Sequence, residues 1–166
     1  MAEYIHQQRH GRSEGHFPNT GNMVIELHRL LAIFLASRHF AELRDSTIHS
    51  IQEVEQDEIT RILLTLAVVA RTVDDREDRV FELIGSDCGT LQKDIRNTEV
   101  DVLDIREACN KIIHAQTVRG DVIELDDIRF FNPFIFLRGS LNGKCWLAHL
   151  DIIKFCKEYI TTVCHF

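Results

Sequence analysis

The stretch NPFIFLRGSLNGKCWLAHLD, residues 132–151, decides how the rest of the chain is read. Its apolar residues recur with a period of two, and Asn142-Gly143 sits at the centre of that alternation. Asn and Gly both tolerate the left-handed backbone that a type I′ turn requires, so the stretch predicts a β-hairpin. A two-residue turn pairs Leu141 with Lys144, Gly139 with Trp146, Leu137 with Ala148 and Ile135 with Leu150. One face is then Ile135, Leu137, Trp146, Ala148 and Leu150, apolar except at Gly139, which Trp146 can cover. The other carries Phe134, Phe136, Arg138, Cys145, Leu147 and His149, and is expected to be partly buried as well. Asp151 then stands as the N-cap of a final helix with the inner stripe Ile152, Phe155, Cys156, Tyr159 and Val163.

Upstream of the hairpin the period is helical. Asn22 is placed to cap a helix in which Val24, Leu27, Leu31, Phe34 and Leu35 recur at steps of three and four. Beyond AELRDS, residues 41–46, the positions Ile48, Ile51, Val54, Ile59, Ile62, Leu63, Leu66 and Val69 continue that period. They predict one long helix over 47–73 or two helices hinged near Gln56. DDREDR, 74–79, is a polar junction, and a short helix over 80–84 should stop at Gly85. SDCGTLQKDIRN, 86–97, reads as a loop with one helical turn, and DVIEL, 121–125, as a short strand. The expected fold is mainly α: a helical bundle with a small β-hairpin before the C-terminal helix. Residues 1–20 form a flexible tail and 21–166 a single domain, since 166 residues suffice for one core but are short for two.

Composition narrows the functional classes. The apolar runs at 30–36 and 62–70 fall far below the ~20 residues needed to cross a bilayer, and the first 17 residues lack the apolar core of a secretory signal. Five cysteines, an odd number without a CxxC pair, favour reduced thiols in the cytoplasm. The nine histidines form no HExxH motif, and no metal or other cofactor is expected. Nineteen basic against 26 acidic residues give a net charge of −7, poor for coating nucleic acid non-specifically. From Ile128 onward, however, five basic residues face two acidic ones, so this part carries +3 and the remainder −10. No Walker loop, GxGxxG, GxSxG elbow or kinase motif is present. Asp74-Asp75 and Asp126-Asp127 read as solvated turn residues rather than acid–base pairs.

The best constellation for chemistry lies in DVLDIREACNKIIHAQTV, residues 101–118. Read as one helix at about 100° per residue, Val102, Ile105, Cys109, Ile112 and Ile113 form an apolar stripe between about −20° and −120° from Arg106. Arg106, Asn110 and His114, at steps of four, climb one flank of that stripe. Cys109 falls on the stripe and reads as core rather than as a nucleophile.

CNKIIHA, residues 109–115, resembles the signature of the HEPN superfamily, the higher eukaryote and prokaryote nucleotide-binding domains. These are compact helical bundles, many of them ribonucleases. The signature sets an arginine and a histidine with four to six residues between them, and a polar residue, commonly Asn, just after the arginine. Asn110 and His114 match it, but Cys109 stands at the arginine position, and seven residues separate Arg106 from His114. GSLNGKCWLAHLDIIKFCKEYI, residues 139–160, also looks like the hairpin and last helix of some bacterial HEPN-like proteins. The resemblance implies a metal-independent endoribonuclease of a toxin or phage-defence type, acting on RNA as a homodimer. Arg106 and His114 would be catalytic, Asn110 and Lys111 would contact the substrate, and an antitoxin or other protein would be the partner. The competing expectation is a non-catalytic dimeric interaction module that binds a partner protein or a nucleotide. In that reading Arg106 and Asn110 make structural hydrogen bonds and His114 marks the end of its helix. Phe134, Phe136 and Leu147, with the Arg106 flank, supply the apolar surface from which a homodimer is expected.

Overall fold

The computed structural model describes residues 20–77 and 86–164. Among these residues, five helices and five strands succeed one another in chain order. They are α1 (Thr20–Glu42), α2 (Ser46–Gln52), α3 (Glu55–Glu77), β1 (Gly89–Gln92), β2 (Asp101–Val102), α4 (Ile105–His114), β3 (Thr117–Leu125), β4 (Ile128–Leu141), β5 (Lys144–Asp151) and α5 (Ile152–Thr162). The strands form one antiparallel sheet in the order β2-β1-β5-β4-β3.

That sheet corrects the expectation of a mainly α, HEPN-like bundle: the chain is a mixed α/β fold in which the hairpin is the centre of a larger sheet. The hairpin itself has the register read from the sequence, with Leu141 opposite Lys144 and Ile135 opposite Leu150. Asn142 and Gly143 adopt φ of 51° and 75°, the two left-handed positions of a type I′ turn. What the sequence reading lacked is the company it keeps. The expected loop at 86–97 contains β1, which pairs with β5 through Leu91 opposite Ala148, and β2 extends the sheet beyond β1. The approach of β1 to β5 is close: a Cβ on Gly89 would stand 2.0 Å from the carbonyl oxygen of His149, and the φ of +140° also favours glycine.

The stretch 101–118 is likewise divided rather than one helix. Asp104 caps α4 by accepting from the Glu107 amide at 2.7 Å, and the Ile105 amide donates to Ser86 Oγ at 3.1 Å. Val102 therefore belongs to β2, and Thr117 opens β3. β3 and β4 continue past the sheet as a two-stranded ribbon after a register shift at Gly120/Asp121. Asp126 and Asp127 turn that ribbon with φ of 51° and 64°, as turn residues rather than an acid–base pair, and the Asp126 carbonyl accepts from Arg44 Nη2 at 2.9 Å.

On the helical side, α1 begins at Thr20, so Asn22 lies inside it and is not its cap. Its buried stripe is Met23, Leu27, Leu30 and Phe34, and the expected inner residues Val24 and Leu35 are exposed. The chain breaks at residues 53–54 between α2 and α3, as the two-helix alternative allowed, and Asp45 caps α2. In α3, Ile59, Ile62, Leu63, Leu66, Ala67, Ala70 and Val73 form one fully buried stripe. Asp151 caps α5, as expected, by accepting from the Lys154 amide at 3.0 Å. Tyr159 of α5 donates to the Leu66 carbonyl of α3 at 2.8 Å. The short helix expected over 80–84 lies outside the described residues, as does the tail up to residue 19.

These stripes meet Leu91, Ile135, Leu137, Trp146, Ala148 and Leu150 in a single core on one face of the sheet. Strand alternation sends Phe134, Phe136, Leu147 and His149 to the opposite face, outside that core.

Candidate functional site

The flank of α4 holds its expected residues in their expected order, but it does not bring them together. Arg106 and His114 are separated by eight positions, about 12 Å of helical rise. The Arg106 side chain is 57% exposed, and its Nη2 lies 4.0 Å from Asp74 Oδ2 on α3, a carboxylate that also accepts from Arg71 Nη1 at 3.2 Å. Asn110 Nδ2 donates to Glu107 Oε1 at 3.2 Å. Lys111 Nζ pairs with Glu107 Oε2 at 3.3 Å and lies 5.0 Å from the centre of the Trp146 ring, which leaves only 13% of the lysine side chain exposed. Lys111 is therefore committed to covering the hairpin. His114 is exposed, while its backbone carbonyl packs over Gly139.

At the position of the absent arginine, Cys109 is wholly buried, and burial pushes its thiol up to about 12. A thiol in that state is not a nucleophile at neutral pH. Cys156 is held up to about 12 by the same cause, and Cys88 is shifted in the same direction.

A cleft of about 300 Å³ opens between the β3–β4 ribbon and the junction of α1 with α2, lined in part by Ser37, Gln52, Glu55, Phe130 and Phe131. Ser37 Oγ accepts from the Phe131 amide at 3.0 Å and donates to Glu55 Oε2 at 3.3 Å, while Gln52 Nε2 donates to the Ser37 carbonyl at 3.0 Å. Glu55 is only 7% exposed, and its carboxyl is held above the ordinary range by burial. These bonds fasten the ribbon to α1.

The sheet's other face is the surface where chemistry-bearing side chains converge. Register alone assembles one row across five strands: Val102, Thr90, His149, Phe136 and Arg119. The next row is Gln92, Leu147, Arg138 and Thr117. The His149 ring lies between two phenyl rings, 4.8 Å from Phe134 and 4.7 Å from Phe136, at interplanar angles of 25° and 11°. Its Nε2 is buried between them without a hydrogen-bond partner among the described residues. Arg119 and Arg138 are both exposed. Among arginines whose side chains are described, they alone have neither an ion-pair partner nor a hydrogen bond; the others each have one.

Half of this face was legible in the hairpin. Thr90 and Val102 were missed because β1 and β2 carried no strand signal, and Arg119 because the expected strand began only at Asp121, whereas β3 opens at Thr117. The alternation in TVRGDV, residues 117–122, was the available pointer to Arg119.

No family model, curated protein or solved structure matches the chain. Among the described residues, no helix is long and apolar enough to cross a membrane.

Proposed function

We propose that the chain is a non-catalytic binding module that works through the open face of its sheet. One observation carries this reading: the Phe134–His149–Phe136 stack stands outside the core with two unpaired arginines beside it. Structural contacts engage several of the other chemistry-bearing groups. Lys111 and Asn110 are engaged with Glu107, Cys109 is core, and Glu55 is bonded to Ser37. Phe134, Phe136, Leu147 and His149 are half-buried, so part of each remains open to solvent beside unpartnered guanidinium groups, the mixture of rings and free cations that contact surfaces favour. Five free cysteines, three of them buried, support a reducing compartment, and we place the protein in the cytoplasm.

A second reading, a metal-independent endoribonuclease, draws on the exposure of Arg106 and His114 along one flank of α4. In it, His114 would move the proton of a ribose hydroxyl and Arg106 would steady the charge growing on the phosphate, with the two sites completed across a homodimer. Incubating the purified protein with single-stranded RNA in EDTA separates the two. The module reading expects no cleavage. Turnover that falls at least about 100-fold in both His114→Ala and Arg106→Ala would replace it with the enzyme.

A further inference from the structure

Resting on the module reading, we infer that the open face of the sheet binds single-stranded RNA, with bases stacked on Phe134 and Phe136 and phosphates held by Arg119 and Arg138. Register brings these groups together. Arg119 is directly opposite Phe136, and Arg138 comes two residues after Phe136 on the same strand. Cross-strand neighbours lie about 5 Å apart and i, i+2 neighbours about 7 Å, so both guanidinium groups come within one nucleotide of the stack. An unpaired base offers a π-face to the rings, and the adjoining phosphate offers oxygens to the planar guanidinium fork. Duplexes keep their bases stacked inside and cannot use such a platform.

The charge of the whole chain opposes a polyanion, but distance reduces that opposition. At physiological ionic strength the screening length is about 8 Å, so the local sign decides. Locally the acids are Asp151, in register beside Phe134 and engaged as the cap of α5, and Asp121, two residues after Arg119, whose Oδ2 accepts from Asn132 Nδ2 at 2.8 Å. The same charges argue against a second copy on this face. A two-fold interface centred on this face would bring Arg119 and Arg138 of one protomer near those of the other, while the nearby carboxylates of Asp121 and Asp151 are already engaged with Asn132 and the Lys154 amide. Ribose rather than deoxyribose is favoured by the exposed hydroxyls of Thr90 and Thr117 in the two rows, which can bond to a 2′-hydroxyl.

The test is fluorescence anisotropy of a labelled oligouridylate of about 12 nucleotides with the full chain, run beside oligodeoxythymidylate and an RNA duplex of equal length. Expected is binding to oligouridylate that weakens with salt at a slope near about −1.4, about 0.7 per phosphate for two contacts. Phe136→Ala should weaken it about tenfold or more, and Arg119→Ala with Arg138→Ala should bring the slope close to zero. Lys157→Ala, exposed on α5, should change neither. Should Phe136→Ala melt early, Phe136→Leu retains the apolar bulk without the ring and should show the same loss. Absence of binding, equal or tighter binding of oligodeoxythymidylate or the duplex, or insensitivity to the arginine pair overturns the inference. Sedimentation separates that failure from failure of the module reading: a dimer that Leu147→Glu dissociates would make the face a self-interface and preserve the module. EDTA-resistant cleavage would remove the module reading itself.

Discussion

The indole of Trp146 occupies the space that a side chain at Gly139 would fill. A Cβ there would lie 2.3 Å from Cζ2 and 2.7 Å from Cε2 of the ring, and 3.0 Å from the His114 carbonyl oxygen. Trp146 is 3% exposed and has Lys111 on its face, so it has little room to move. Gly139→Ala is expected to destabilise the fold by roughly 1–3 kcal/mol through overpacking, with a loss of about 2–4 °C in Tm for each kcal/mol. A thermal melt followed by tryptophan fluorescence measures it. An unchanged Tm would mean that the ring relaxes freely.

Glu55 should make stability fall as pH rises. Because burial raises its folded pKa above the unfolded value, the native state binds this proton more tightly than the unfolded chain does. The resulting loss of stability is absent below about pH 4.3, grows through the raised folded pKa and is complete above it. Glu55→Gln keeps an acceptor for Ser37 and removes the charge, so the variant should melt higher than wild type at neutral pH, and the gap should close as pH approaches about 4.3. A gap that widens on acidification would reverse the assignment.

At the ribbon tip, both turn residues are left-handed and neither is glycine. Asp tolerates this conformation better than most residues, but glycine adopts it without a steric penalty. Asp127→Gly should therefore stabilise the protein by about 0.5–1 kcal/mol, leaving the bond from Arg44 to the Asp126 carbonyl in place. Urea unfolding midpoints at constant m would register the gain; a lower midpoint would show that the Asp127 side chain itself is needed.

The thiols should separate by burial. Cys145 is exposed, whereas Cys88, Cys109 and Cys156 are buried. Iodoacetamide on the native protein should modify Cys145 first and reach the buried three only on unfolding, as peptide mass mapping can show. Cys109→Arg would place a guanidinium in the core among Ile105, Ala108 and Ile112 rather than rebuild a site, and it should abolish cooperative unfolding. A soluble, cooperatively folded variant would contradict the placement of Cys109.

By itself the sequence determined those features whose causes lie within a few residues. Asn142-Gly143 dictates a left-handed turn, alternation on both sides sets the register, and Asp151 caps the next helix, so the hairpin and α5 were legible to the residue pair. The stripe of α3 was legible for the same reason, through its helical period. Only the tertiary structure decided that the hairpin is the centre of a sheet. β1 has four residues and β2 two, too few to display a period, and Leu91 becomes strand because Ala148, far along the chain, supplies its hydrogen-bonding neighbour. The two sites divide in the same way. The spacing of Arg106, Asn110 and His114 comes from one helix and was readable, and the bond of Asn110 to Glu107 is an i, i+3 contact of the same helix, yet the engagement of Arg106 with Asp74 and of Lys111 with Trp146 depends on which side chains the packing brings near. The row from Val102 to Arg119 draws on strands far apart in the chain, and it exists because backbone hydrogen bonds across the sheet, not local propensity, fix which side chains stand abreast.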